Sequence, residues 1–214
     1  ELKDLGFNLN FAPAADTGSG DGRSYSTDPK IVSRFVDKAG EGYEEAGLLY
    51  CLKHFPGLGK GQTDSHLDTV TVNAEKSVLE AEDMQPFKDM LAAHSADNYF
   101  VMVSHISYPA LDPHNPASLS PIIMTDLLRK ECGYPGIIIT DDMEMGALSN
   151  HYSFPELGVK AIQAGADMLL VCHEYEHETQ VYNGVLKAVQ NGEISEERLD
   201  ASVKRIVRSK LMHL

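Results

Sequence analysis

Side chains able to do chemistry gather in two short stretches of the chain. The first runs Lys53-His54-Phe55-Pro56-Gly57-Leu58-Gly59-Lys60-Gly61-Gln62-Thr63-Asp64-Ser65-His66, where charged groups leave an apolar run and enter a segment with three glycines. Glycine permits backbone conformations that other residues avoid, so such a loop can carry Asp64 and His66 over a bound ligand and away again. Two residues apart, the Asp64 carboxylate can contact one nitrogen of the His66 imidazole, fix its tautomer and raise the basicity of the other. The same D-x-H spacing suits a solvated turn, and spacing alone leaves both readings open.

The second stretch, Tyr134-Pro135-Gly136-Ile137-Ile138-Ile139-Thr140-Asp141-Asp142-Met143-Glu144-Met145-Gly146-Ala147, takes an apolar strand straight into two acids. A carboxylate at a buried strand end is costly without partners. Asp141 and Asp142 therefore need a helix to cap, an ion pair, or a task on a substrate, and one can cap while the other faces a pocket.

Other chemistries fit these stretches poorly. The glycine-rich segment has neither G-x-x-x-x-G-K-[ST] nor G-x-G-x-x-G, so it is not a phosphate cradle. His54, His66 and Asp64 are possible zinc ligands, but they match neither H-E-x-x-H nor a structural spacing, and no metal or cofactor is expected. With 18 Lys+Arg against 32 Asp+Glu, the formal charge is −14, which repels phosphate backbones and anionic lipid surfaces, so nucleic acid is not an expected partner. Much of that acidity, including Glu80, Glu82, Asp83, Glu196 and Glu197, reads as solvated helix faces. Cys51, Cys132 and Cys172 are widely spaced and read as buried free thiols. There is no apolar run long enough for a spanning helix.

The elements that must position these groups alternate. Apolar runs of strand length lie at 7–11, 48–52, 99–103, 136–139 and 168–172. A helix over 31–46 is read from Ile31, Phe35 and Ala39, and another over 74–93 from Val78, Ala81 and Leu91. Ser120-Pro121 and Phe154-Pro155-Glu156 open two more. Ser195 caps the last, whose stripe Leu199, Val203, Ile206, Val207 and Leu211 is expected to face a core. Strands apolar on both faces and separated by helices make parallel β/α units, so the class is α/β and the 214 residues form one domain. In such folds chemistry gathers at the carboxyl ends of strands. Asp16 and Arg23 follow the first strand, Lys53 and His54 the second, His105 the third, Asp141 the fourth and His173 the fifth.

Taken together, Lys53-His54-Phe55-Pro56-Gly57, Asp64-Ser65-His66 and Gly136-Ile137-Ile138-Ile139-Thr140-Asp141-Asp142-Met143 resemble the signature segments of glycoside hydrolase family 3, in its β-N-acetylhexosaminidase branch. Asn10-Phe11-Ala12-Pro13 leading to Asp16, Gly22-Arg23-Ser24 before Asp28-Pro29, His105 and Gly165-Ala166-Asp167-Met168 fit the same pattern in order and spacing. The resemblance implies a TIM-type (β/α) barrel and a retaining mechanism with Asp141 as nucleophile, Asp142 being the fallback. It also implies His66, held by Asp64, as acid/base, and Arg23, Lys53 and His54 as groups that hold sugar hydroxyls. Leu58 stands where the family commonly has a histidine.

The expected activity is that of a retaining exo-β-N-acetylglucosaminidase on small cell-wall or chitin-type saccharides. Two alternatives stand beside it: a glycoside phosphorylase with phosphate as acceptor, and a non-catalytic sugar-binding remnant. A complete barrel of the family has eight strands against about five here, so the N-terminal strands are expected to be missing and supplied by an upstream segment or a second chain. The sequence does not assign a compartment.

Overall fold

The computed structural model describes residues 1–18, 22–59 and 70–214. Five strands, β1 (Leu9–Asn10), β2 (Leu49–Phe55), β3 (Tyr99–Val103), β4 (Ile138–Asp142) and β5 (Met168–Leu170), form one parallel sheet in the order β1-β2-β3-β4-β5. Neighbours in sequence are neighbours in the sheet, the commoner arrangement of consecutive strands, and the sheet curls into half of a barrel wall. Helices α1 (Pro29–Glu45), α2 (Lys76–Val78), α3 (Gln85–Ala93), α4 (Gly146–Ser149), α5 (Phe154–Ala164), α6 (Tyr175–Gln190) and α7 (Glu196–His213) accompany the sheet, with wide-turned helices at Leu79–Asp83 and Ile122–Glu131 and short 3-10 turns at Lys3–Leu5 and Ala117–Leu119. Among the described residues, no helix is long and apolar enough to cross a membrane.

The two faces of the sheet bury different sets. Tyr50, Leu52, Phe55, Tyr99, Val101, Val103 and Ile138 pack into the large core beneath the helices. Leu49, Cys51, Phe100, Met102, Ile137 and Ile139 form a second cluster on the concave face, with Met168, Leu170 and Ile206 against it. This is the period-two alternation of a strand with both faces covered. On the helix side Tyr43, Tyr50, Tyr99 and Tyr134 stack in series at 5.4, 5.4 and 5.6 Å.

Several helices begin where their caps require. The Asp28 carboxylate accepts from the Lys30 N–H at 2.9 Å ahead of Pro29, and Ser195 Oγ accepts from the Arg198 N–H at 3.2 Å. Ser120 Oγ accepts from the Ile123 N–H at 3.0 Å, so the helix expected from Ser120-Pro121 does start there. The helix expected over 74–93 is broken instead: a wide turn at Leu79–Asp83 ends at Met84, and Pro86 restarts the chain as α3. Asp83, expected on a solvated face, is fully buried beneath Gly57, where an added Cβ would come within 2.6 Å of its own Cβ. Helix α6 is not among the helices expected from the sequence, although Val181, Val185 and Ala188 carry its period. It packs tightly on α5, since a Cβ on Gly184 would lie 2.6 Å from Pro155.

The faces the helices present also differ from expectation. In α1 the buried row is Val32, Val36 and Gly40, while Ile31 and Phe35 are exposed and Phe35 stacks on Tyr25 at 5.1 Å. Gly40 lets the helix approach closely, because a Cβ there would sit 2.9 Å from Met90 Cε. In the segment preceding α3, Leu79 rather than Val78 or Ala81 is buried. In α7 Ile206 packs inward, but Ser202 and Ser209 are buried while Val203 (45%) and Leu211 (82%) face outward. A polar network draws α7 in by that face. The Asp167 carboxylate, without exposed side-chain surface, accepts from Arg129 at 2.8 Å, Ser202 at 2.6 Å, Arg205 at 2.9 Å and the Ile138 N–H at 3.0 Å. Of the thiols, only Cys51 is fully buried; Cys172 is exposed.

Candidate active site

Strand alternation aims two of the sequence-predicted residues at the concave face. On β4 the inward row is Ile137, Ile139 and next Asp141, whose carboxylate keeps 20% of its surface. On β2 the row is Leu49, Cys51 and next Lys53, which is half-buried. The pairing of β2 with β3 then skips a residue, since Lys53 pairs with Met102 and Phe55 with Val103. Such a bulge re-aims side chains at a strand end. It leaves His54 as the extra residue while Phe55 returns to the core beneath the helices. A second shift, between Ile139 and Asp142 on β4, lies beside Asp141.

His54 is held firmly. Its Nδ1 lies 2.7 Å from Oδ2 of Asp16, and the other Asp16 oxygen accepts from the His54 N–H at 3.0 Å and the Leu58 N–H at 2.8 Å. Burial pushes the Asp16 carboxyl pKa up, but the charge of His54 and these hydrogen bonds outweigh it and hold the acid below the ordinary carboxylate value. The imidazole donates through Nδ1 to Asp16 and turns Nε2 toward Asp141, 3.7 Å from its Oδ2. The sequence placed Asp16 at a strand end but not as the partner of His54; that pairing spans 38 positions and no local spacing encodes it. Leu58 contributes through its backbone N–H, a contact indifferent to its side chain.

Arg23 is exposed and follows the loop next to Ser24, whose hydroxyl donates to the Asp16 carbonyl at 2.6 Å. Asp64 and His66 lie outside the described residues. The structure thus brings Lys53, His54 and Asp141 to one end of the sheet with Asp16.

Around Asp141 the turn is densely bonded. One Asp141 oxygen, Oδ1, accepts from the Asp142 N–H at 2.8 Å. The Asp142 carbonyl meets Nε2 of the buried His105 at 2.8 Å, and the Asp142 carboxylate meets Nε2 of the exposed His173 at 3.0 Å. Glu144, absent from the sequence-based set, clamps the start of α6. Its oxygens accept from the N–H groups of Cys172 (2.9 Å), His173 (2.5 Å) and Glu174 (3.0 Å) and from His177 Nδ1 (2.6 Å). Burial raises the Glu144 pKa, but the His177 bond and the three amides together hold it below the usual glutamate value. Asp142, Glu144 and His173 place three ligand-type atoms within 4.8 Å of one another. Each Glu144 oxygen already takes two donors, so this trio reads as a helix cap rather than a metal centre.

The family model described as Glycosyl hydrolase family 3 N terminal domain matches residues 1–209. The chain is 31% identical to Beta-hexosaminidase A of Pseudoalteromonas piscicida, over 98% of this chain and 39% of that protein. It is 37% identical to Beta-hexosaminidase of Stenotrophomonas maltophilia strain K279a, over 81% of this chain and 52% of that one. It superposes with a TM-score of 0.95 on a glycoside hydrolase family 3 beta-N-acetylglucosaminidase from Paenibacillus sp. str. FPU-7, at 38% identity, over 99% of this chain and 41% of that one. The chain therefore spans about half or less of the length of these relatives.

Proposed function

The chain belongs to glycosyl hydrolase family 3, and from that premise we propose that the protein containing it is a retaining exo-β-N-acetylglucosaminidase acting on small cell-wall or chitin-type saccharides. Asp141 is the nucleophile. Its free oxygen bonds to the anomeric carbon as the glycosidic C–O bond breaks, and the departing oxygen takes a proton from His66, which Asp64 orients. Water then gives its proton to His66 while its oxygen bonds to the same carbon, releasing Asp141 and a sugar of unchanged anomeric configuration. Arg23, Lys53 and His54 hold sugar hydroxyls beside the reacting bond.

The observation that carries this reading is the placement of Asp141. It is a partly exposed acid on the concave face, with one oxygen anchored by the Asp142 N–H at 2.8 Å and the other 3.7 Å from an imidazole that Asp16 holds. An anchored acid with one oxygen left for the reaction is what a nucleophile requires. Relatives named beta-hexosaminidase or beta-N-acetylglucosaminidase supply the sugar class.

The test is turnover of a chromogenic β-N-acetylglucosaminide by the full-length protein. Asp141→Ala should lower the rate by about 10⁴-fold or more, the usual consequence of deleting a nucleophile. Full activity in that variant would sink the assignment. Sugar 1-phosphate formed on adding phosphate would move the reading to a phosphorylase.

A further inference from the structure

The catalytic reading gives no task to the buried His105 at this end of the sheet. His105 follows β3 and is almost wholly buried. Its Nε2 lies 2.8 Å from the carbonyl oxygen of Asp142 and its Nδ1 lies 2.7 Å from the Ser118 hydroxyl. A carbonyl oxygen only accepts, so Nε2 carries the proton, and with a neutral ring the Ser118 hydroxyl must donate to Nδ1. Burial holds the imidazole below the ordinary histidine value, outweighing the pull of Asp141 and Asp142 in the other direction. Ser118 is itself fixed: it is fully buried in the short turn Ala117–Leu119, and its N–H donates to the Ser104 carbonyl at 3.0 Å.

The peptide groups flanking Asp142 join this chain to the reacting acid. The Asp142 carbonyl is the one His105 grips, and it also accepts from the Met145 N–H at 3.1 Å. The Asp142 N–H is the group that anchors Oδ1 of Asp141 at 2.8 Å. Tilting the residue at one end shifts the donor at the other, and with it the plane of the Asp141 carboxylate.

We propose that His105 is a positioning residue for Asp141: braced by Ser118, it fixes the Asp142 backbone so that one Asp141 oxygen stays anchored and the other stays aimed at the anomeric carbon. A histidine that only fills the core needs two partners of any kind. Here one partner is the backbone of the residue that orients the nucleophile, which gives the contact a catalytic consequence. The proposal rests on the reading of Asp141 as nucleophile, and its test separates the two.

The experiment is steady-state turnover of a chromogenic β-N-acetylglucosaminide by the full-length wild type and its His105→Phe and His105→Gln variants, each with a thermal unfolding curve. Phe keeps a ring and loses the donor, whereas Gln can restore an N–H toward the carbonyl. The expected result for His105→Phe is a fall in kcat of about 100-fold with KM changed less than about threefold, the size of effect that misplacing a reacting group by 1 Å produces. His105→Gln should recover about tenfold of that loss. A kcat within threefold of wild type in His105→Phe, a loss residing in KM, or a Gln variant no better than Phe would each overturn the proposal. If His105→Phe does not fold, Ser118→Ala decides: it removes the brace and should lower kcat with KM unchanged, and an unaltered kcat counts against the proposal. A wild type without turnover rejects the glycosidase reading itself, whereas an active wild type with indifferent variants rejects only the role of His105.

Discussion

The two ends of the sheet each hold a buried carboxylate network, and they are built to opposite purposes. At the amino ends of β4 and β5, Asp167 has no exposed side-chain surface and accepts from Arg129, Arg205, Ser202 and the Ile138 N–H. At the carboxyl ends, Asp16 is equally enclosed and takes the His54 ring and two amide N–H groups, but the network continues through His54 to Asp141, which keeps one oxygen open to the concave face. The first network ends on itself and joins α7 to the sheet. The second is enclosed at one end and open at the other, the arrangement a substrate group can complete.

If the comparison holds, deletions at the two ends separate activity from stability. Asp141→Ala, with the largest effect, should abolish turnover by about 10⁴-fold or more while leaving the unfolding midpoint close to wild type, because its side chain is partly solvated. Asp167→Ala should do the reverse. Removing it leaves Arg129 and Arg205 without their shared acid, and burial already draws the Arg129 pKa below the ordinary arginine value even with Asp167 present. Breaking a buried pair from one side costs about 3–5 kcal/mol. Chemical denaturation of both variants, with activity measured per folded molecule, checks the crossover; an Asp167→Ala protein of normal stability would erase the contrast.

The sequence made the elements legible more readily than the directions in which they face. Apolar runs mark all five strands, and the Ser120-Pro121, Phe154-Pro155-Glu156 and Ser195 signals mark helix starts, because strand burial and capping are local. The buried faces of α1 and α7 differ from the sequence expectation for one reason. The closest contacts are made by small or polar residues, Gly40 in the first and Ser202 and Ser209 in the second, so the larger apolar residues beside them face outward. At the candidate site, the carboxyl ends of the apolar runs mark Asp16, Lys53, His54 and Asp141. The bulge at His54, the long-range partnership of Asp16 with it and the Glu144 clamp depend on register and tertiary contacts that no short motif contains.

A smaller effect, with a pH signature, is expected within the open network. Asp16→Asn keeps the shape but loses the charge that holds the His54 ring. Turnover should fall by about 10- to 100-fold, as for loss of a residue that positions a substrate-binding group. Despite its burial, the folded Asp16 carboxyl is held below the ordinary aspartate value by His54 and two amide N–H groups, so in the acid range the unfolded chain binds the extra proton. Its contribution to stability is therefore complete above that ordinary, unfolded-chain value and lost as the pH falls through the folded one. The variant should show a shallower loss of stability in this acid range, measured by urea unfolding from pH 5 downward. An identical pH slope would mean that Asp16 is not held as an anion.

Glu144 should give the smallest effect and the finest test of where the site ends. Its carboxylate ties the Asp141-Asp142 turn to the first turn of α6 through three consecutive amides and His177. Glu144→Gln replaces one acceptor oxygen with an N–H₂ group facing those donors, at a cost of about 1–2 kcal/mol. Because the clamp holds α6 and His173 rather than Asp141, the expected loss is in stability and in protection of the amides at 172–174 from hydrogen exchange. The kcat should stay within about threefold of wild type. A large fall in kcat at unchanged stability would extend the open network along β5 and make the start of α6 part of the catalytic machinery.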